Sequence, residues 1–218
     1  MKAERVSYDV MTPSAARGVL EAVYWKPEIR WIVNRLTVLR PIQFTSIRRN
    51  EVKDKISEST ARRVMKAGAG ELCLNVTEGD NRQQRAALVL RDVSYIIDAH
   101  FEILSGPENA VKHLDQFQRR ARRGACFTRP YLGCREFAAH FCLLETDTEA
   151  PQLHESLAGE RDLGWMLHDI DFGDGKTPRF FLWILSTNRK SFRRMRTRRA
   201  NSPAGCAITS MTSAPSGL

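Results

Sequence analysis

Lys112 and His113 stand side by side in "VKHLDQFQRRARRG", and their types suit proton transfer beside a phosphate. Histidine gains or loses a proton near neutral pH, and a lysine ammonium is a compact point charge for a phosphate oxygen. Adjacent residues on a helix point about 100° apart, so the two line one site only at the helix shoulder or end. Taken alone, the dipeptide is better read as an exposed lysine beside a partly buried histidine. Tyr24, in "AVYWKP", is the second candidate. A phenol with a pKa of about 10 is a poor base unless a nearby ammonium such as Lys112 stabilises the phenolate, yet it can orient a hydroxyl by hydrogen bonding. The competing reading is an aromatic ring that fills the space between a helix and a sheet.

Basic residues surround these candidates. Arg119, Arg120, Arg122 and Arg123 follow the Lys-His pair, Lys26 follows Tyr24, and Arg48-Arg49 forms a separate pair. A guanidinium fork fits phosphate oxygens, and a track of them gives salt-sensitive nucleic-acid binding. A solvated helix face explains the four-arginine block equally well, and the Asn50-Glu51 that follows offers Arg48-Arg49 a local partner. Metal-ligand patterns are weaker. Cys126, Cys134 and Cys142 recur with His140 nearby, but Pro130 and Gly133 interrupt any straight strand, so scattered core thiols are the better reading. The carboxylates of "DIDFGDG" fit a hairpin turned by Asp174-Gly175 more simply than a metal loop. No phosphate-binding glycine loop, nucleophile elbow or His-Glu-x-x-His pattern is present.

Several elements must position these groups. "MTPSAARGVLEAVYWKP" predicts a helix capped by Thr12, with Pro13 at its first position, an apolar stripe of Ala16, Val19, Leu20 and Val23, and a stop before Pro27. Ile29 to Phe44 reads as one long strand ended near Pro41, followed by a polar loop with a helical turn or two. Ala86 to Leu104 predicts two strand segments joined near Arg91 and Asp92, and the Lys-His segment then reads as a helix ended by Gly124. Short strands and a hairpin follow. The order helix, strand, strand, helix, strand is an α+β arrangement, a ferredoxin-like (RRM-like) βαββαβ unit lacking its first strand. The expected organisation is a ferredoxin-like domain over 1–124, a small β-rich domain over 125–185, and a disordered basic tail over 186–218.

Charge narrows the class of partner. Among 218 residues, 34 basic and 25 acidic side chains give a net charge of +9, which favours a polyanion. Seven of the positive charges lie between Arg189 and Arg199, so the rest of the chain carries +2 and any binding surface there is a local patch. The five cysteines are odd in number and form no Cys-x-x-Cys, which argues against a disulfide framework and for a reducing cytoplasm. The sequence has no apolar run long enough for a membrane span, and no membrane partner is expected.

"ERVSYDVMTPSAARGVLEAVYWKPEIRW", "VLRPIQFTSIRRNEV", "FTRPYLGCREFAAHF" and "DLGWMLHDIDF" resemble the CRISPR-associated Cas-five family of subtype I-C systems, over roughly Glu4 to Phe181. The resemblance implies a ferredoxin-like domain followed by a small β-rich domain. It also implies an endoribonuclease acting on the repeat hairpin of precursor CRISPR RNA, with Tyr24, Lys112 and His113 as the catalytic residues. The implied cleavage needs neither metal nor cofactor: the 2′-hydroxyl attacks the neighbouring phosphate and leaves a 2′,3′-cyclic phosphate and a 5′-hydroxyl. The mature CRISPR RNA then stays bound, and the protein joins the other subunits of a surveillance complex that meets double-stranded DNA. Family members carry a strand and turn before the part matching "ERVSYDV", and the basic segment after Phe181 departs from their pattern. The alternative function is a non-catalytic RNA- or DNA-binding subunit.

Overall fold

A computed structural model describes residues 5–77, 81–104, 110–144, 154–171 and 175–186, together with the backbone of 206–211. The elements run β1 (Arg5–Val6), α1 (Pro13–Val23), β2 (Ile29–Val38), β3 (Gln43–Val52), α2 (Glu58–Ala67), β4 (Arg82–Arg91), β5 (Ser94–Ile103), α3 (Ala110–Arg122), β6 (His140–Leu144), β7 (Glu160–Asp171), β8 (Thr177–Ser186) and β9 (Cys206–Met211). The chain divides into two compact units, one of Met1–Ser7 and Phe44–Val89, the other of Tyr8–Gln43 and Leu90–Leu218.

The first unit carries a sheet in the order β1-β4-β3, with β1 parallel to β4. Two strands stand where a single long one was expected from Ile29 to Phe44: β2 stops at Val38, and Pro41 separates it from β3. The segment read as a polar loop becomes the end of β3 and a ten-residue helix. Ser57 caps that helix by accepting from the Thr60 amide, and Gly68 closes it at φ 64°. Such caps supply the partners that a short polar helix cannot draw from its own ladder.

The second unit contains a four-stranded sheet in the order β2-β5-β9-β6 and a separate β7-β8 hairpin. α1 forms as expected: the Thr12 hydroxyl accepts from the Ala15 amide at 3.3 Å, Pro13 sits at the start, and Ala16, Val19, Leu20 and Val23 are buried. β2 keeps one face inward through a change of phase. Ile29 and Trp31 are buried on odd positions, Leu36 and Val38 on even ones, and the β5 register shifts between Val33 and Arg35. One extra residue in a strand moves the alternation by one step, so the bulge at Asn34 is what lets both halves face the core. Opposite them, Tyr95, Ile97 and Ala99 are buried on β5. With the apolar faces of α1 and α3, these residues make the main core, centred on Trp31, Phe117, Leu20 and Ile97.

The expectation of a structureless segment after 186 does not hold at Cys206–Met211, which pair antiparallel with both β5 and β6. This six-residue strand is defined by partners distant in sequence, and its local composition barely differs from the small polar residues around it. The basic block between Arg189 and Arg199 lies outside the described residues. Among the described residues no helix is long and apolar enough to cross a membrane.

Tyr95 gives the core a testable titration. Its buried phenol accepts from the Met11 amide at 3.2 Å, and burial pushes its pKa up to about 12. The folded phenol stays protonated after the unfolded one ionises, so its contribution to stability is intact below pH ~10 and is lost between there and pH ~12. Tyr95→Phe is expected to cost about 1–3 kcal/mol at neutral pH by stranding the Met11 amide. The variant should also lose stability less steeply above pH ~10, as urea denaturation across pH would read.

Candidate active site

A hydrogen bond joins the end of α1 to the buried face of α3. Tyr24 is the C-terminal cap of α1, in extended conformation, and its backbone amide donates to the Leu20 carbonyl at 2.9 Å. On α3, His113, Phe117 and Ala121 recur every four residues and form the buried stripe. This spacing stacks side chains on one helix face. His113 therefore looks inward, and its Nδ1 lies 2.9 Å from Tyr24 Oη. Both residues are largely enclosed, His113 at 3% and Tyr24 at 5% exposure. The imidazole is further flanked by Phe101 of β5, with ring centroids 6.0 Å apart.

The bond admits two proton arrangements. Either the phenol donates to Nδ1 and the imidazole proton sits on Nε2, or Nδ1–H donates to the phenol oxygen. In both, one proton lies on the line between an oxygen and a nitrogen that can exchange it, an arrangement suited to acid and base steps at a single reaction centre. Lys112 precedes His113 on the exposed side of α3. The structure thus brings Tyr24 and His113 into direct contact. Lys112 is exposed and has no part in that contact.

Three donors hold Tyr24 in place. The Trp31 indole Nε1–H donates to the Tyr24 carbonyl at 2.8 Å, the Arg120 Nε–H donates to the Val23 carbonyl at 2.8 Å, and the Phe127 amide donates to the Ala22 carbonyl at 2.8 Å. The last carbonyls of a helix have no partner within it, so these donors fix the terminal turn of α1 and the direction in which Tyr24 leaves it. Arg120 also lies over the Phe127 ring, 3.9 Å from its centroid. Sequence reasoning placed Arg120 in a nucleic-acid track and did not single out Trp31. Their spacing to Tyr24 is set by tertiary contact, and no local pattern carries it.

The other arginines divide. Arg119 and Arg122 are exposed and reach Gln116 and Gln118 on their own helix, and Arg123 is exposed beyond the last turn. Lys26 is exposed just after Tyr24, while Arg48 and Arg49 lie on β3 of the other unit, Arg48 exposed and Arg49 half-buried. Arg120→Ala should cost about 1–3 kcal/mol of stability through the unpaired Val23 carbonyl, whereas Arg123→Ala should stay within about 0.5 kcal/mol, both read by denaturant unfolding.

Of the candidate metal loop, Asp174 lies outside the described residues. Asp169 pairs with Arg17, and Asp171 pairs with Arg179. Among the described residues no cluster of histidine, cysteine and carboxylate side chains has metal-binding geometry. Cys73, Cys126, Cys134 and Cys142 form no disulfide among the described residues. Glu21, beside Arg17 and Asp169, has its carboxyl pKa raised chiefly by burial, against the lowering pull of Arg17.

Comparison with known proteins places the chain in a family. The model of the family described as CRISPR-associated protein (Cas_Cas5), Cas5d type, matches residues 1–201. A protein of Mannheimia succiniciproducens named CRISPR pre-crRNA endoribonuclease Cas5d is 54% identical over 186 residues, which cover 83% of this chain and 82% of the relative. Its namesake from Thermus thermophilus is 42% identical over 172 residues, covering 78% of this chain and 66% of the relative. Two solved structures share the fold at low identity. One is a CRISPR-associated protein with a TM-score of 0.55 and 20% identity, covering 84% of this chain and 79% of its own. The other, functionally uncharacterized protein SMU1763c from Streptococcus mutans, has a TM-score of 0.52 and 19% identity, covering 83% of this chain and 78% of its own. With a family model that spans most of its length and two relatives well above 30% identity, the chain belongs to the CRISPR-associated Cas5d family.

Proposed function

We propose that this chain is an endoribonuclease that cuts precursor CRISPR RNA in its repeat hairpin, retains the mature CRISPR RNA, and serves as a subunit of a subtype I-C surveillance complex. The observation that carries the reading is the buried Tyr24–His113 hydrogen bond, in a chain whose relatives are named pre-crRNA endoribonucleases. The ferredoxin-like reading belongs to the same proposal. The order α1, β2, β5, α3, β6, with both helices contributing to one core against the sheet, supports it.

The cleavage is a transesterification. The 2′-oxygen beside the scissile phosphate gives up its proton and bonds to phosphorus, the bond from phosphorus to the 5′-oxygen breaks, and that oxygen takes a proton. The products are a 2′,3′-cyclic phosphate and a 5′-hydroxyl. One group must orient or accept the first proton, one must offset the charge of the phosphorane, and one must supply the second proton. Tyr24 takes the first role, Lys112 the second and His113 the third. Because Tyr24 and His113 share a hydrogen bond, acid and base duties can also be exchanged between them. The exposed Lys112 ammonium meets the phosphate from solvent, near the N-terminal turn of α3, where the helix dipole favours an anion. Lys26, Arg48, Arg49, Arg119, Arg122 and Arg123 hold the RNA backbone, and Arg120 acts through the Val23 carbonyl.

A second reading, a non-catalytic RNA- or DNA-binding subunit, is favoured by one observation: the two candidate proton carriers are almost wholly enclosed. One assay separates the two. Purified chain incubated with a CRISPR repeat hairpin in EDTA should cut it at a single position and leave the two ends named above. Intact RNA that nevertheless shifts on a native gel would overturn the enzyme reading and support the binding subunit.

A further inference from the structure

A cavity of about 460 Å³ opens between the last turn of α3 and β6. Ala121, Arg122, Arg123 and Gly124 form its helix side, and the stretch from Phe141 to Leu143 forms its strand side. Its size falls within the range of about 300–1,000 Å³ typical of small-molecule sites. Two chemistries are segregated in the lining. Ala121 is buried, and Phe141 and Leu143, which share a strand face, pack against the core. Arg122 and Arg123 are exposed, so the guanidinium groups stand on the solvent side of the cavity.

The helix end does not use up these arginines. The Arg123 and Ala125 amides donate to the Arg120 carbonyl at 3.1 and 2.9 Å, and the Gly124 amide donates to the Ala121 carbonyl at 3.1 Å. Gly124 makes this closure at φ 63°, and a Cβ added there would meet nothing within 4 Å. Both carbonyls therefore have backbone partners, and among the described residues the Arg123 guanidinium has no hydrogen bond or ion pair. A basic last turn also complements the helix dipole, but the dipole does not account for an aromatic ring across an open cavity. An apolar floor with a phenyl ring, edged by two guanidinium groups, matches one ligand chemistry: a planar base joined to a phosphate.

We propose that this cavity is a nucleotide-binding site that takes one unpaired nucleotide of the RNA, its base against Phe141 and its phosphate on Arg122 and Arg123. The inference rests on the RNA-processing reading above, and it adds a base contact where that reading has contacts to the RNA backbone. In a duplex the faces of a base are covered by its neighbours, so the ring stacks only on a base outside the hairpin stem. The buried stripe of α3 that begins at His113 ends at Ala121, and Arg122 lies about 14 Å from His113 along the helix axis. One RNA strand can therefore occupy both places, and the bound nucleotide anchors it a short way from the cut.

The test uses the full, unmodified chain and a CRISPR repeat RNA that carries a photoactivatable iodouridine at one unpaired position at a time. Irradiation in EDTA should link one of these positions to the tryptic peptide Glu136–Arg161, with the adduct at Phe141 or Cys142 by mass spectrometry. A chain that cuts the RNA but links only through other peptides would overturn the pocket and leave the enzyme reading standing. A chain that links through Phe141 or Cys142 and never cuts would do the reverse. Phe141→Leu, which keeps an apolar side chain and removes the ring, should weaken RNA binding about 5- to 150-fold, the worth of one stacked base. That factor should be the same at every salt concentration. Arg123→Ala should instead lower the slope of log affinity against log salt by about 0.7, the share of one single-strand phosphate. Parental affinity in a folded Phe141→Leu protein would overturn the proposal, and if that variant does not fold, the cross-link on the unmodified chain decides.

Discussion

His113→Ala is expected to slow cleavage of a CRISPR repeat RNA by about 10²–10⁴-fold, the span that one positioned general acid or base supplies. RNA affinity should be unchanged, because the imidazole is enclosed beneath the surface and presents almost no area to a polyanion. The variant also leaves Tyr24 Oη without its Nδ1 partner and opens space beside Phe101. A stability loss of about 1–3 kcal/mol is therefore expected alongside the kinetic one. Rates should be compared at a temperature where both proteins are fully folded. His113→Gln tests the same role with less lost volume: an amide fills the space and hydrogen-bonds, but it cannot titrate near neutrality, so the rate should stay low.

Tyr24→Phe makes the complementary cut. The ring that packs with α1, Trp31 and the sheet is retained, and the backbone that receives the Trp31 and Arg120 bonds is untouched. Only the hydroxyl at 2.9 Å from Nδ1 is removed. The expected result is a fall in the single-turnover rate of about 10²-fold, comparable to loss of one preorganised donor at a reacting centre, with RNA binding intact. The pH–rate profile should change shape as well, since one of the two proton carriers is removed. A variant that cleaves like the parent but unfolds more readily would mean that the hydroxyl serves the core and not the chemistry. The double variant with His113→Ala should be little slower than the worse single one, because residues that act as one machine are not additive.

What the sequence disclosed follows from how local each signal is. α1 was legible in full because its cap, its proline and its apolar stripe all lie within one short segment. The pair was half legible: Tyr24 and His113 each stood out by residue type, on separate helices, and the hydrogen bond between them is what the structure adds. The burial of His113 followed from its spacing to Phe117 and Ala121, which also left Lys112 facing solvent. Arg120 was misleading by composition. It sits among exposed arginines in sequence, yet it lies about two helical turns from His113, on the side that meets the end of α1. Most of β3 and α2 reads in sequence only as a polar loop with a helical turn or two because its residues are polar and half-buried at most, so no apolar period announces them. β9 escaped for a stronger reason: its strand character comes from β5 and β6, far away in the chain, and nothing local to "CAITSM" sets it apart.

The central claim is that Tyr24 and His113 drive attack by the 2′-hydroxyl of the RNA itself. The most direct measurement replaces that one hydroxyl by hydrogen in a repeat hairpin, at the nucleotide 5′ to the scissile phosphate, and follows binding and cleavage together in EDTA. The account predicts that the 2′-deoxy hairpin binds as tightly as the natural one, remains uncut, and competitively blocks cleavage of the natural RNA. Cleavage of the deoxy hairpin at the natural position and rate would contradict it, because the nucleophile would then have to come from elsewhere.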